Sequence, residues 1–133
     1  MLFRSYYLKD VKSLDFYKTF LKQNTGLGTL KIRAFAASEA MPIKNLFISV
    51  SKVINDKTII FYEGYTNDSG TIDNIILPTP KISLDNDLKP DSTTYIIKVK
   101  YLNKDYSSYI VSIYENVMVI QNINIVPGEY NGY

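Results

Sequence analysis

The side chains of this 133-residue chain that could do chemistry are acids, lysines, hydroxyls and tyrosines, because it holds neither cysteine nor histidine. That removes a thiol nucleophile, any relay through imidazole, a disulfide framework, and metal centres built on thiolate or imidazole. Asp68, Asp73, Asp85, Asp87 and Asp91 offer oxygen ligands of the kind calcium takes. A calcium loop, however, spaces its acids regularly around a turn glycine. Asn67-Asp68-Ser69-Gly70 has the glycine without the spaced acids, and reads as a hairpin turn with Gly70 at positive φ. The segment from Asp85 to Asp91 reads as a solvated surface loop. Glu63 and Glu115 would serve glycoside cleavage only if they faced each other across a cleft; both fall at strand ends, with no pattern suggesting one. No catalytic residue, metal or cofactor is therefore assigned.

The twelve tyrosines are the most unusual count. Tyr6, Tyr7, Tyr62, Tyr65, Tyr106, Tyr109, Tyr130 and Tyr133 are the candidates for exposure, where tyrosine can stack on a sugar or anchor a protein interface. The plainer reading is that tyrosine is a good strand former that lines core rims. Formal net charge is +2, unevenly divided. Residues 1–28 carry Arg4, Lys9, Lys12, Lys18 and Lys22 against Asp10 and Asp15, which is +3 and leaves −1 for the remainder. A near-neutral body without clustered Lys and Arg does not suit nucleic acid. Charges interrupt the first eleven residues, so no secretory signal is expected, and no run approaches the ~20 apolar residues of a membrane helix. The expected location is cytoplasmic.

These residues must be positioned by one helix and a run of strands. Ser13 to Asn24 reads as a helix, with Ser13 as cap, Asp15 in the first turn, and an apolar stripe of Leu14, Tyr17, Phe20 and Leu21 opposite Lys18 and Lys22. About three turns are marginal alone, so the stripe must dock, either on this protein's own body or on a partner. From Gly28 the period becomes two: Leu30, Ile32, Ala34 and Ala36 alternate with Lys31, Arg33 and Phe35. Further strands are predicted over 46–53, 58–65, 72–77, 95–101, 106–114 and 117–126, separated by turn residues such as Met41-Pro42, Asn55-Asp56, Asn67 to Gly70, Asn103 to Asp105 and Glu115-Asn116. Pro78-Thr79-Pro80 stops one of them. Seven short strands with such spacing predict a mainly β fold, a seven-strand antiparallel β-sandwich preceded by one short helix. The expected organisation is a basic helix and linker over 1–27, a sandwich over 28–127 and a tail over 128–133. Strands 95–101 and 117–126 would be exposed hazards at a sheet edge, so a dimer through paired edges is open.

Several phrases carry a family resemblance. Glu39-Ala40-Met41-Pro42-Ile43-Lys44-Asn45 resembles the alanine-x-proline-isoleucine-x-asparagine turn of carboxypeptidase-regulatory-like, or prealbumin-like, sandwich domains, and Thr66 to Gly70 resembles their threonine-aspartate-x-x-glycine hairpin. With Ile76 to Pro80, Tyr95, Gln121 and Ile125-Val126-Pro127, the stretch from about Gly28 to Pro127 is similar to the non-catalytic N-terminal domain of clostridial spore cortex-lytic enzyme precursors. Pro42, Asp68, Gly70, Pro78 and Pro80 are its structural turn residues. The resemblance implies binding, docking or regulation, with sporulation or the cell envelope of a Firmicute-type bacterium as the setting. It also takes in transthyretin-like hydroxyisourate hydrolases, whose chemistry depends on histidines; this chain has none, and Tyr130 to Tyr133 is not their C-terminal signature. Pilin-like relatives cross-link a strand lysine, but the parity of Leu30, Ile32 and Ala34 points Lys31 to water. The expectation is a non-enzymatic interaction module that docks on a protein partner through a sheet edge or through Leu14, Tyr17, Phe20 and Leu21 of the helix. The alternative is a carbohydrate- or peptidoglycan-binding module that uses exposed tyrosines.

Overall fold

The computed structural model describes residues 4–36, 41–83 and 91–126. In chain order its elements are β1 (Ser5–Tyr7), α1 (Leu8–Val11), α2 (Asp15–Gln23), β2 (Gly26–Ala36), β3 (Met41–Pro42), β4 (Phe47–Ile54), β5 (Lys57–Tyr65), β6 (Thr71–Thr79), β7 (Thr93–Tyr101), β8 (Lys104–Ile113) and β9 (Met118–Ile125). A five-stranded sheet runs β1-β5-β4-β7-β8, and a smaller one gathers β3, β6 and β9 around β2.

Period-two patterning decides which face each strand buries. Leu30, Ile32, Ala34 and Ala36 of β2, with Ile123 and Ile125 of β9, meet Ile48, Val50, Tyr95, Ile97, Val99, Val111 and Ile113 from the larger sheet in one core. Each Val, Leu or Ile side chain so withdrawn from water contributes roughly 1.5–3 kcal/mol. Tyr95 ties the layers together: its ring is wholly buried, meets Phe61 edge-on at 5.1 Å, and its hydroxyl donates to the Pro78 carbonyl of the other sheet. Burial, with Tyr17 nearby, raises its pKa far above the ordinary tyrosine range.

The sandwich has nine strands among the described residues, not seven. The added ones, β1 and β3, are three and two residues long, too short to show a period. Nor is the pairing all antiparallel: β1 runs parallel to β5, and β9 runs parallel to β2 over eight residues. Strand 95–101, expected as an edge hazard, is β7, covered on both sides by β4 and β8, whereas β9 does lie at an edge.

The helix begins at Asp15, and its N-cap is Leu14, which makes no side-chain capping bond, so Ser13 does not cap it. Its other end is tied down more firmly. The Asn24 amide donates to the Phe20 carbonyl at 2.8 Å, and the Thr93 hydroxyl donates to the Asn24 side-chain oxygen. Tyr17 and Phe20 are buried, stacked on each other and tilted against the ring of Phe61 of β5. With β1 bonded to β5, residues 4–25 are built into the sandwich.

Candidate functional site

The outer face of the five-stranded sheet carries a groove whose floor follows from register. In one row Tyr65 of β5, Phe47 of β4, Lys100 of β7 and Asp105 of β8 stand side by side; in the next stand Glu63, Ser49, Lys98 and Ser108. Same-face neighbours on adjacent strands lie about 5 Å apart, so each row reaches across four strands. Register irregularities at Val50/Ser51 and Val99/Lys100 bend the sheet here. The resulting cavity measures about 560 Å³ and is lined by the residues of these rows other than Tyr65, together with Ile60, Tyr106 and Ser107.

Its chemistry is mixed. The Glu63 carboxylate stands by the Tyr7 hydroxyl, and its pull on the phenol proton as a hydrogen-bond acceptor, ahead of its charge, raises the Tyr7 pKa above tyrosine's ordinary value. Ion pairing does not reach the lysines: among the described residues the salt bridge is Lys31–Asp73 at 3.4 Å, on the other sheet. Lys98 and Lys100 thus present two cations on one face of β7. Phe47 and Tyr65 pack edge to face at 5.3 Å, leaving Tyr65 63% exposed at the end of the groove. Periodicity places Lys98 and Lys100 on one face, but their union with Glu63, Ser49 and Ser108 depends on pairing order and bulges, which no spacing along the chain displays.

Of the helix residues expected to meet a partner, Tyr17 and Phe20 are buried against the protein's own sheet, while Leu14 and Leu21 remain exposed. Of the tyrosines, Tyr7 and Tyr65 are exposed, and Tyr6, Tyr62, Tyr106 and Tyr109 are half-buried; Tyr130 and Tyr133 lie outside the described residues. Glu63 lines the groove, whereas Glu115 accepts the Ile82 N–H at 2.9 Å. Lys31 is held to Asp73 on the outer face of β2. Asp85, Asp87 and the first two residues of the 39–45 phrase lie outside the described residues.

The turn residues have structural tasks. Thr66 donates from its hydroxyl to the Ile43 carbonyl at 2.6 Å and accepts the Leu46 N–H at 2.9 Å, joining the two motif phrases. Asn67, not Asp68, organises the hairpin: its side-chain oxygen accepts the N–H groups of Ser69 and Thr71. Gly70 has φ +75°, and a Cβ there would lie 2.4 Å from the Ala34 carbonyl and 3.0 Å from Pro42. Pro42 pairs with Phe35 as part of β3; Pro78 sits in β6 opposite Leu27, and Pro80 follows the strand's end.

No family model matches the chain, and no curated protein does. Among solved structures it is similar in shape to the 5-hydroxyisourate hydrolase of Klebsiella pneumoniae, at 14% identity and a TM-score of 0.48, over 76% of this chain and 91% of that one. The likeness goes with a prealbumin-like β-sandwich and extends no further than the course of the chain. It corrects one expectation nonetheless. A non-enzymatic role was expected for this sandwich, yet a similar structure is a hydrolase, of the kind set aside for want of histidine. The assignment as a non-enzyme is withdrawn. The hydrolase's own reaction is not carried over at this level of similarity.

Proposed function

We propose that the chain is a binding module that docks on a protein partner through the groove of the five-stranded sheet, and that the partner supplies an acidic, extended segment. The observation that carries this reading is the pair Lys98 and Lys100, adjacent on one exposed strand face, in the middle of a groove, with no ion pair among the described residues. Carboxylates laid along β7 would meet both cations, while Ser49, Ser107 and Ser108 offer hydroxyls to a main chain. The helix is the weaker dock, because the two largest residues of its stripe are spent on the sandwich itself. A second reading, a glycan such as peptidoglycan, is favoured by the exposed Tyr65 braced by Phe47 at the groove's end. For setting, the phrases similar to spore cortex-lytic precursors support a partner in the sporulation machinery or cell envelope of a Firmicute-type bacterium.

The test is a titration of the whole chain with a glutamate-rich peptide, read by fluorescence anisotropy at low and high salt. Binding that weakens with salt and is lost in Lys98→Glu/Lys100→Glu is the expected result; binding indifferent to both changes overturns the reading. Retention on insoluble peptidoglycan that depends on Tyr65, with no peptide binding, would favour the glycan instead.

A further inference from the structure

Among the described residues five strands of the two sheets have an open side, and four of them carry devices that discourage another strand from adding. β1 is only three residues long and β3 only two. β6 contains Pro78, the charge of Asp73, and a register irregularity opposite Leu30 to Ile32, where Asn74 takes φ 60°. β8 begins with Lys104 and Asp105 beside a further irregularity. Short length, charge, proline and bulges are the usual means of blunting an edge. β9 has none of them: Met118-Val119-Ile120-Gln121-Asn122-Ile123-Asn124-Ile125 holds no charge, proline or glycine, and pairs with β2 in unbroken register.

Which of its main-chain groups are open follows from parity. In an extended strand the N–H and C=O of one residue point to one side, and those of the next to the other. The Val117 carbonyl accepts the Thr29 N–H at 3.0 Å, so odd-numbered residues serve the ladder with β2. The even-numbered ones face away, and the far end confirms it, because the Tyr106 hydroxyl reaches the Asn124 carbonyl and accepts the Val126 N–H at 2.9 Å. The Gln121 amide covers the Asn122 carbonyl at 3.0 Å. Among the described residues the edge is thus closed at its end and open from Met118 to the Asn122 N–H. Beside that opening Met118 is 58% and Ile120 47% exposed.

We infer that this edge pairs with a second copy of the chain, β9 antiparallel to its counterpart about a two-fold axis at Ile120. The two Ile120 residues then exchange N–H···O=C bonds, and the Asn122 N–H of each copy donates to the Met118 carbonyl of the other. An uncharged strand is complementary to itself, because symmetric pairing sets no like charges face to face. Met118 and Ile120 of both copies come together on the outer face of the joined sheet.

Sedimentation velocity of the whole chain over a wide concentration range is the test. A monomer–dimer equilibrium is expected, abolished by Ile120→Lys, which places like charges across the two-fold axis while its exposed side chain leaves the core untouched. Circular dichroism, and a melting midpoint equal to that of the wild type at dilutions where the wild type is monomeric, confirm that the variant folds. Ile120→Gln, polar but uncharged, is expected to weaken the dimer less. A wild-type chain that stays monomeric throughout, or a dimer that survives Ile120→Lys, overturns the inference. Lys98→Glu/Lys100→Glu should dimerise normally, so failure of the groove and failure of the edge are told apart.

Discussion

Gly70 and Tyr95 are two residues at which a single atom decides a large effect. A Cβ at Gly70 would face a backbone carbonyl that cannot move without β2, in a conformation L-residues avoid. Gly70→Ala should therefore lower stability by about 2 kcal/mol or more, read by urea denaturation, with a smaller loss for Asp68→Ala, whose side chain holds no part of the hairpin together. Tyr95→Phe keeps the ring and its contact with Phe61 but leaves the Pro78 carbonyl without its donor. A cost of about 1–2 kcal/mol is expected in the same measurement. Gly70 was legible from its turn phrase, since four polar or small residues between apolar runs demand such a glycine. The sheet-to-sheet bond of Tyr95 was not, because its acceptor belongs to a strand whose place beside it is set only by the packing of layers.

At the scale of elements, α2 behaves as a lid on one end of the larger sheet. Its Tyr17 and Phe20 cover Phe61, and the Asn24–Thr93 bond fastens the lid to β7. Phe20→Ala should cost about 3 kcal/mol, whereas Leu21→Ala, at an exposed site, should change stability by less than about 0.5 kcal/mol. Differential scanning calorimetry of the two variants checks both. The helical stripe itself showed in the sequence, as did every strand long enough to alternate. What could not be read was which part of the stripe turns inward, for Leu14 and Leu21 repeat at the same spacing as Tyr17 and Phe20. The large strands likewise displayed their inward faces, but not their neighbours, so the rows that make the groove stayed hidden. β1 and β3 escaped for a simpler reason: a pattern needs more than three residues to repeat.

The whole molecule should feel its buried phenol in alkaline solution. Tyr95 is raised in the folded state by burial first and by Tyr17 second, so above the ordinary tyrosine pKa of about 10 the unfolded chain releases a proton that the folded chain keeps. Fewer protons on the unfolded state mean stability that falls as pH rises. It should be unaffected by this group below about pH 10 and should decline above it by up to about 1.4 kcal/mol per pH unit. Tyr95→Phe is expected to make the decline shallower, and denaturant midpoints from pH 8 to 11.5 would show it. Lys52 acts in the opposite sense, since its pKa is lowered by burial, so the comparison of the two proteins isolates the phenol.

The parallel ladder of β2 with β9 has a consequence for how the molecule comes into being. β2 leaves the ribosome before β3 to β8 and β9 after them, so the middle strand of the smaller sheet must wait for all six to be translated before its second side is covered. Hairpins such as β4–β5 and β7–β8 can close as they emerge. The second side of β2 is filled only when β9 arrives, and a nascent chain halted before Met118 would carry an unfinished seam along Thr29 to Ala36.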